Sequence, residues 1–315
     1  MSEERGMPAA TTAGAEPPPT GPLDLVLGVA DLGPAGRLWT DLLGGEPVTS
    51  EGAQSIVHLA PELDLILEAS EVSGPRRLTV ATDRPDAVRA ACSRLGLVTS
   101  EDGDAIVLED RRFGGGHLRF LPTRSSREDG GSIERTVAGP PRGAVGLRRA
   151  DHVCFAVEDL RIGAEVLEAA GGWPVLGGDG PAGARALVLR FPHLKVEMLA
   201  PTDPDGPVAR HLARREGRSG IHHLTLFVED VDSAVAALTT AGIPTVDTDT
   251  TTRSTWHETF LRPGATDGLL IQLARTTVDH RDRLTDEQIA DIHAGRYSAV
   301  DYLMRRRGAD KGGPS

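Results

Sequence analysis

The chain has 315 residues, with 34 Lys and Arg against 46 Asp and Glu and a formal charge of -12, which argues against a broad electropositive surface for nucleic acid or anionic lipid but leaves room for a local basic pocket. Hydrophobic residues make up 39%, enough for globular cores, and no stretch reaches the ~18 uninterrupted apolar residues of a membrane helix. The length suggests two domains or one large barrel, and 37 Gly with 22 Pro imply many short elements joined by turns.

Residues 1–21 combine Glu3 and Glu4 with Ala, Thr and Pro and lack an apolar h-region. They are expected to stay disordered and do not read as a secretory signal, which makes the cytoplasm the expected compartment. Val26 to Gly45 (VLGVADLGPAGRLWTDLLGG) then reads as a strand, an Asp-initiated helix and a Gly stop. Leu78 to Leu97 (LTVATDRPDAVRAACSRLGL) has the same outline. The GGG at Gly114 to Gly116 precedes a strand rather than a helix, so it reads as a turn and not a phosphate cradle. Arg124 to Gly146 is polar and rich in Gly, Ser and Pro, as linkers are. The outline returns in Val153 to Gly172 (VCFAVEDLRIGAEVLEAAGG), followed by strand-like ALVLRF and KVEML, and in Leu224 to Ile243 (LTLFVEDVDSAVAALTTAGI), followed by ETFLRP and LLIQLA. After Thr276 the pattern turns helical. Thr285 and Gln288 have capping-box spacing ahead of Ile289 and Ile292, so one or two helices are expected, packed against the second half or closing over a site.

The chain therefore repeats itself. Its second and fourth copies align at an offset of 146 residues, its third and fourth at 71. The repeating unit is βαβββ, and four of them make an α+β protein. The expected limits are a tail over 1–21, a first domain over 22–123, a linker over 124–146, a second domain over 147–276 and a helical tail over 277–315. Cys92 and Cys154 fall in different halves without a metal-type or redox-type neighbour in sequence and are expected to be buried apolar fillers.

The 71-residue offset superposes His152 on His223, Glu158 on Glu229 and Gly171 on Gly242. Glu197 in KVEML and Gln272 in LLIQL are polar residues flanked by apolar ones, so strand alternation turns them to the face opposite their neighbours. A carboxylate, an amide and two imidazoles converging on one sheet face carry a large desolvation cost unless they bind something. A single divalent Fe, Co, Ni, Mn or Zn held by His152, Glu197, His223 and Gln272 would resolve it, with positions left open for substrate oxygens. His222 is expected on the other face, His193 in an exposed turn and His211 on a helix surface. In the first half the corresponding residues are Asp24, Ile66, Arg77 and Phe120, a set that cannot hold a metal. There Arg77 either binds an anion or pairs with Asp24 or another acid.

Paired βαβββ units carrying DHVCFAVEDL, VEMLAPTDPDGPVARHL and GIHHLTLFVEDVDSAVAALTTAGI resemble the vicinal oxygen chelate superfamily, the glyoxalase, bleomycin resistance and dioxygenase proteins. From about Ala150 to Ala274 the resemblance is greatest to methylmalonyl-CoA epimerases. It implies two vicinal-oxygen-chelate domains, the second metal-bearing, and a small-molecule substrate, in a monomer or a homodimer. It also implies an isomerase or lyase reaction through a metal-stabilised enolate. Such a reaction needs a base, and here the pattern departs from the family. Gln272 stands where epimerases end their last strand with Glu, and Ala186 where many bacterial ones place another Glu. Glu197 is the remaining acidic residue of the set; Glu258 and His257 are the nearest substitute bases. Two other readings stay open. A silent first domain before a metal-bearing second one also resembles 4-hydroxyphenylpyruvate dioxygenases, non-haem Fe(II) enzymes. Other superfamily members sequester drugs without chemistry.

Overall fold

A computed structural model of the chain describes residues 23–51, 53–59, 63–123, 141–180, 183–192, 194–249, 256–276 and 281–297. The first 21 residues, most of the linker, His193 and the segment after 297 lie outside these. The first half contains strands β1 (Leu23–Val29), β2 (Glu46–Glu51), β3 (Gln54–Leu59), β4 (Leu63–Ala69), β5 (Gly74–Thr82), β6 (Thr99–Asp102), β7 (Ala105–Leu108) and β8 (Leu118–Pro122), with helices α1 (Leu32–Arg37) and α2 (Pro85–Arg94). The second contains β9 (Leu147–Ala156), α3 (Leu160–Ala169), β10 (Trp173–Gly180), β11 (Ala184–Arg190), β12 (Lys195–Pro201), α4 (Pro207–Arg214), β13 (Gly220–Val228), α5 (Val231–Thr240), β14 (Thr245–Asp249), β15 (Trp256–Leu261), β16 (Leu270–Thr276) and α6 (Asp286–His293).

Each half folds into one eight-stranded mixed sheet. The orders β2-β3-β4-β1-β5-β8-β7-β6 and β10-β11-β12-β9-β13-β16-β15-β14 are the same topology twice. The two units of a half meet along their first strands, β1 with β5 and β9 with β13, both antiparallel. Local chemistry sets the helix ends. Asp31, Asp159 and Asp230 accept backbone N–H bonds at the starts of α1, α3 and α5. In contrast, α2 begins on Pro85 with no side-chain cap. The helices that follow the four first strands, α1 being continued by a wider helical turn over Leu38–Leu42, stop at Gly44, Gly96, Gly171 and Gly242, all at positive φ, where a Cβ would be strained.

Helix α3 covers one face of the second sheet, its Gly163 lying so close under Met198 of β12 and the Phe113 ring that a Cβ there would collide with both. Residues that alternate with Met198 and Phe155 point to the opposite, inner face. Over one end of that face lies α4, whose Val208 and Leu212 pack on Ala156, Ala184 and Leu199. The two sheets share one continuous apolar core, joined by Phe113 against Phe155 at 6.1 Å between ring centroids. Helix α2 lies against α3, where Arg94 pairs with Glu165 at 2.8 Å, and the Thr82 hydroxyl donates to the Ala170 carbonyl at 3.0 Å. Helix α6 begins with the capping box its spacing predicts and packs on β10, Ile292 against Gly177, away from the inner face. Among the described residues, no helix is long and apolar enough to cross a membrane.

Candidate metal centre

The inner face of the second sheet is built from its four central strands, β12, β9, β13 and β16. Register brings the candidates together: Glu197 lies beside Cys154, Cys154 opposite His223, His152 opposite Thr225, and Thr225 beside Gln272. His152 Nε2 and His223 Nε2 each stand 3.3 Å from the same oxygen of Glu197. The ligand atoms of these three residues lie within 4.8 Å of one another, a spacing one ion can bridge. The side chains are nearly closed to solvent, 7% exposed for His152 and 5% for His223. His223 Nε2 is buried without a hydrogen-bond partner, the kind of orphan that a bound cation satisfies.

The surrounding side chains orient both rings. Asp151 accepts at 2.9 Å from His152 Nδ1 and is itself held by Lys195 at 3.0 Å and Arg149 at 3.0 Å. A β-bulge makes this contact: Thr225 and Leu226 oppose His152 and Ala150, so Asp151 is the extra residue and can turn to the His152 side. On the other nitrogen, Thr225 Oγ1 lies 2.8 Å from His152 Nε2 and donates at 2.5 Å to Gln272 Oε1. Gln272 Nε2 donates to Glu258 Oε2 at 2.5 Å, and that oxygen also accepts from Trp256 Nε1 at 2.6 Å. Gln272 is thus joined to the ligand set through Thr225, with its amide oxygen already engaged.

Burial works against both partners of the buried His/Glu cluster, and their mutual attraction overrides it. Burial alone would lower His152, but the Glu197 and Asp151 carboxylates hold its pKa up at about 9. Burial alone would raise Glu197, but His152 and His223 hold it well below the usual carboxylate range. For His223 burial prevails and its pKa falls. Such a cluster has proton-binding nitrogens turned toward one carboxylate, a donor set suited to a borderline divalent cation.

The remaining candidates divide. Glu258 lies on the inner face, two hydrogen bonds from Thr225. His257, adjacent in the strand, is set on the opposite side and feels Asp230 at the start of α5. Three expectations need correction. His222 does not face away: a bulge at Ile221/His223 turns it so that its Nδ1 lies 2.9 Å from His223 Nδ1. His211 is not a plain surface residue, since its ring packs on His222 at 4.9 Å and its Nε2 is buried. Cys154, although fully buried, has metal-type neighbours in space, grouped with His222 and His223 within 4.8 Å. Cys92 is a core filler, 2% exposed.

In the first half the equivalent positions hold Asp24, Ile66, Arg77 and, in place of the expected Phe120, Arg119. Arg119 stands beside Thr79 as Gln272 stands beside Thr225, while Phe120 points into the core.

Over residues 151–260 the sequence matches the family model of the glyoxalase/bleomycin resistance protein/dioxygenase superfamily. It is this segment, within the second sheet, that carries the superfamily's pattern. In fold, both sheets together are similar to the Mn(II)-bound glyoxalase from Novosphingobium aromaticivorans, which superposes with a TM-score of 0.57 over 85% of each chain, at 13% identity. Methylmalonyl-CoA epimerase from Mycobacterium tuberculosis is 26% identical over 42% of this chain and 90% of its own, with a TM-score of 0.39. A Streptomyces coelicolor methylmalonyl-CoA epimerase variant in complex with 2-nitronate-propionyl-CoA is also 26% identical, over 42% of this chain and 99% of its own, with a TM-score of 0.38. No curated protein matches the chain.

Proposed function

We propose that this protein is a metal-dependent enzyme that isomerises or cleaves a small carbonyl-bearing molecule, with one divalent ion held by His152, Glu197 and His223. The observation that carries this reading is the pair of imidazole Nε2 atoms, each 3.3 Å from one Glu197 oxygen, that of His223 buried without a hydrogen bond. The Mn(II)-bound state of the Novosphingobium glyoxalase is in keeping with it. When bound, a divalent ion supplies Lewis acidity toward a carbonyl oxygen and so favours loss of a proton from the adjacent carbon. The chain's own residues do the rest. Asp151 fixes the His152 ring, and the His222 contact fixes His223. Glu258, oriented by Gln272 and Trp256, is the base that takes the proton. Gln272 orients that base and does not itself accept protons, because an amide nitrogen is only a donor at neutral pH.

The same two imidazoles and one carboxylate also make a 2-His-1-carboxylate count, so a ferrous oxygen-consuming reaction is the second reading. The test is elemental analysis of wild type beside His152→Ala and His223→Ala. About one equivalent of transition metal, lost in both variants while circular dichroism stays native, is the expected result. Iron together with oxygen uptake would select the second reading. No metal in wild type after reconstitution would remove both and leave a ligand-binding protein.

A further inference from the structure

The buried polar atoms that lack hydrogen bonds are clustered. Four of those in the described residues, Asp24 Oδ1, Arg77 Nε, Thr79 Oγ1 and Arg119 Nε, lie on the adjacent strands β1, β5 and β8 of the first sheet. Asp24 stands directly opposite Thr79, Thr79 is beside Arg119, and Arg77 precedes Thr79 by two residues on the same face. These are the positions that hold His152, Thr225, Gln272 and His223 in the second sheet. The first sheet therefore has a polar inner face too, with guanidiniums, which repel a cation, where the second sheet has His223 and Gln272.

The ordinary explanation is that the two arginines neutralise Asp24. That pairing is incomplete: burial raises the pKa of the Asp24 carboxyl and prevails over the Thr79 hydroxyl and the charges of Arg77 and Arg119, and neither guanidinium comes within ion-pairing distance of it among the described residues, Arg119 being tied by Nη1 to Asp102 at 3.0 Å and Arg77 Nε making no hydrogen bond. Both Nε–H groups are left as donors, and a guanidinium's Nε edge is one of the two edges that grip a carboxylate with parallel hydrogen bonds. Thr79, 2% exposed, adds a hydroxyl. Asp24 Oδ1 adds one acceptor, which an anion alone cannot satisfy. Asp64, beside Asp24 on β4, is engaged by His58 at 2.7 Å.

We propose that the inner face of the first sheet binds a small carboxylate bearing a hydroxyl or ammonium group on the neighbouring carbon. The carboxylate lies against Arg77 and Arg119 with the Thr79 hydroxyl donating to it, and the neighbouring O–H or N–H donates to Asp24. This site is independent of the metal centre, so either can fail without the other.

The experiment is saturation-transfer NMR on metal-stripped wild type, with glycolate, glycine, acetate and methylammonium as probes. Glycolate and glycine should bind more tightly than acetate, and methylammonium should not bind. Arg77→Met and Arg119→Met should each weaken glycolate about tenfold, the loss of one charge-assisted hydrogen bond. Arg77→Lys, which keeps the charge but not the fork, should also weaken it while folding normally. Asp24→Asn should abolish the preference for glycolate over acetate and leave acetate binding in place. Glycolate binding that is absent from wild type, or unchanged in all three arginine variants, overturns the proposal. So does a structural pairing revealed by thermal melts, in which Arg77→Met destabilises, Asp24→Asn restores stability, and no probe binds wild type.

Discussion

Single side chains in the second sheet decide whether three candidate ligands make a site or merely a buried cluster. Asp151 is the clearest case: it accepts from His152 Nδ1 and has its own charge balanced by Lys195 and Arg149. Asp151→Asn should lower metal affinity about 10- to 100-fold, the usual effect of losing a ligand's orienting carboxylate, measured by competition with a chromogenic chelator. Glu258→Gln tests the base separately. Metal content should be unchanged, while exchange of an acidic C–H of an acyl substrate with deuterated solvent should slow by about 10²- to 10⁴-fold. Alternation made Glu197 and Gln272 readable in the sequence, and a constant repeat offset did the same for His152 and His223. What alternation cannot show is a bulge. Asp151 and His222 both acquire their roles from one extra residue in a strand, which reverses the side every simple count assigns them. Cys154 and its imidazole neighbours come together only across strands, so spacing along the chain carried no sign of them.

Among the elements, the turn between β7 and β8 does the most structural work for its length. Asp110 accepts from the Val98 and Arg112 backbones and pairs with the Arg112 guanidinium at 2.9 Å, which together fasten the end of the β6–β7 hairpin. The Arg112 hydrogen bond holds the Asp110 carboxyl down at about 2, below its ordinary 3.8 and against the effect of burial. A pKa depressed on folding stabilises the protein fully above the unfolded value and ceases to do so as pH falls through the folded one. Asp110→Asn should therefore cost about 1–2 kcal/mol at pH 7, and the difference from wild type should shrink between about pH 4 and pH 2, as followed by urea denaturation at a series of pH values. The hairpin before this turn, and not the turn itself, makes Arg119 rather than Phe120 the counterpart of Gln272: Leu108 pairs with Leu118 as Leu261 pairs with Ile271, whereas Thr99 reaches Leu108 over a shorter connection than Thr245 reaches Leu261. The offset between halves is 146 residues at Thr79 and Thr225 but 153 at Arg119 and Gln272, because the connections between the later strands differ in length. Strand order was legible from repeated outlines; register within the last strands was not.

At the scale of the whole molecule, two sheets of identical topology share one core. Phe113 belongs to the first half but is fully buried against Phe155 and Gly163 of the second. Because this contact is continuous with the apolar interior of both sheets, thermal unfolding should be a single transition by both far-ultraviolet and near-ultraviolet circular dichroism. Phe113→Ala should lower stability by about 3–5 kcal/mol, and separation of the melt into two steps would show that this ring couples the halves. Two separate transitions in wild type would contradict the coupling. The duplicated architecture was visible in the sequence because each copy ends its helix at Gly. The shared core was not, since Phe113 sits in a glycine-rich turn with no periodicity to mark it.

The candidate ligands lie on the four innermost strands of an eight-stranded sheet, with hydrogen-bonded neighbours on both sides of each. Amides there are reached by solvent only when the sheet as a whole comes apart, unlike those of edge strands, which fray. An ion held at such a place cannot escape by local breathing of its ligands. It has to leave through the gap between side chains, so its release should be insensitive to denaturant well below the unfolding midpoint. A narrow gap would make release slow even from a site of modest affinity, and retention through purification would then report the route out as much as the strength of the grip.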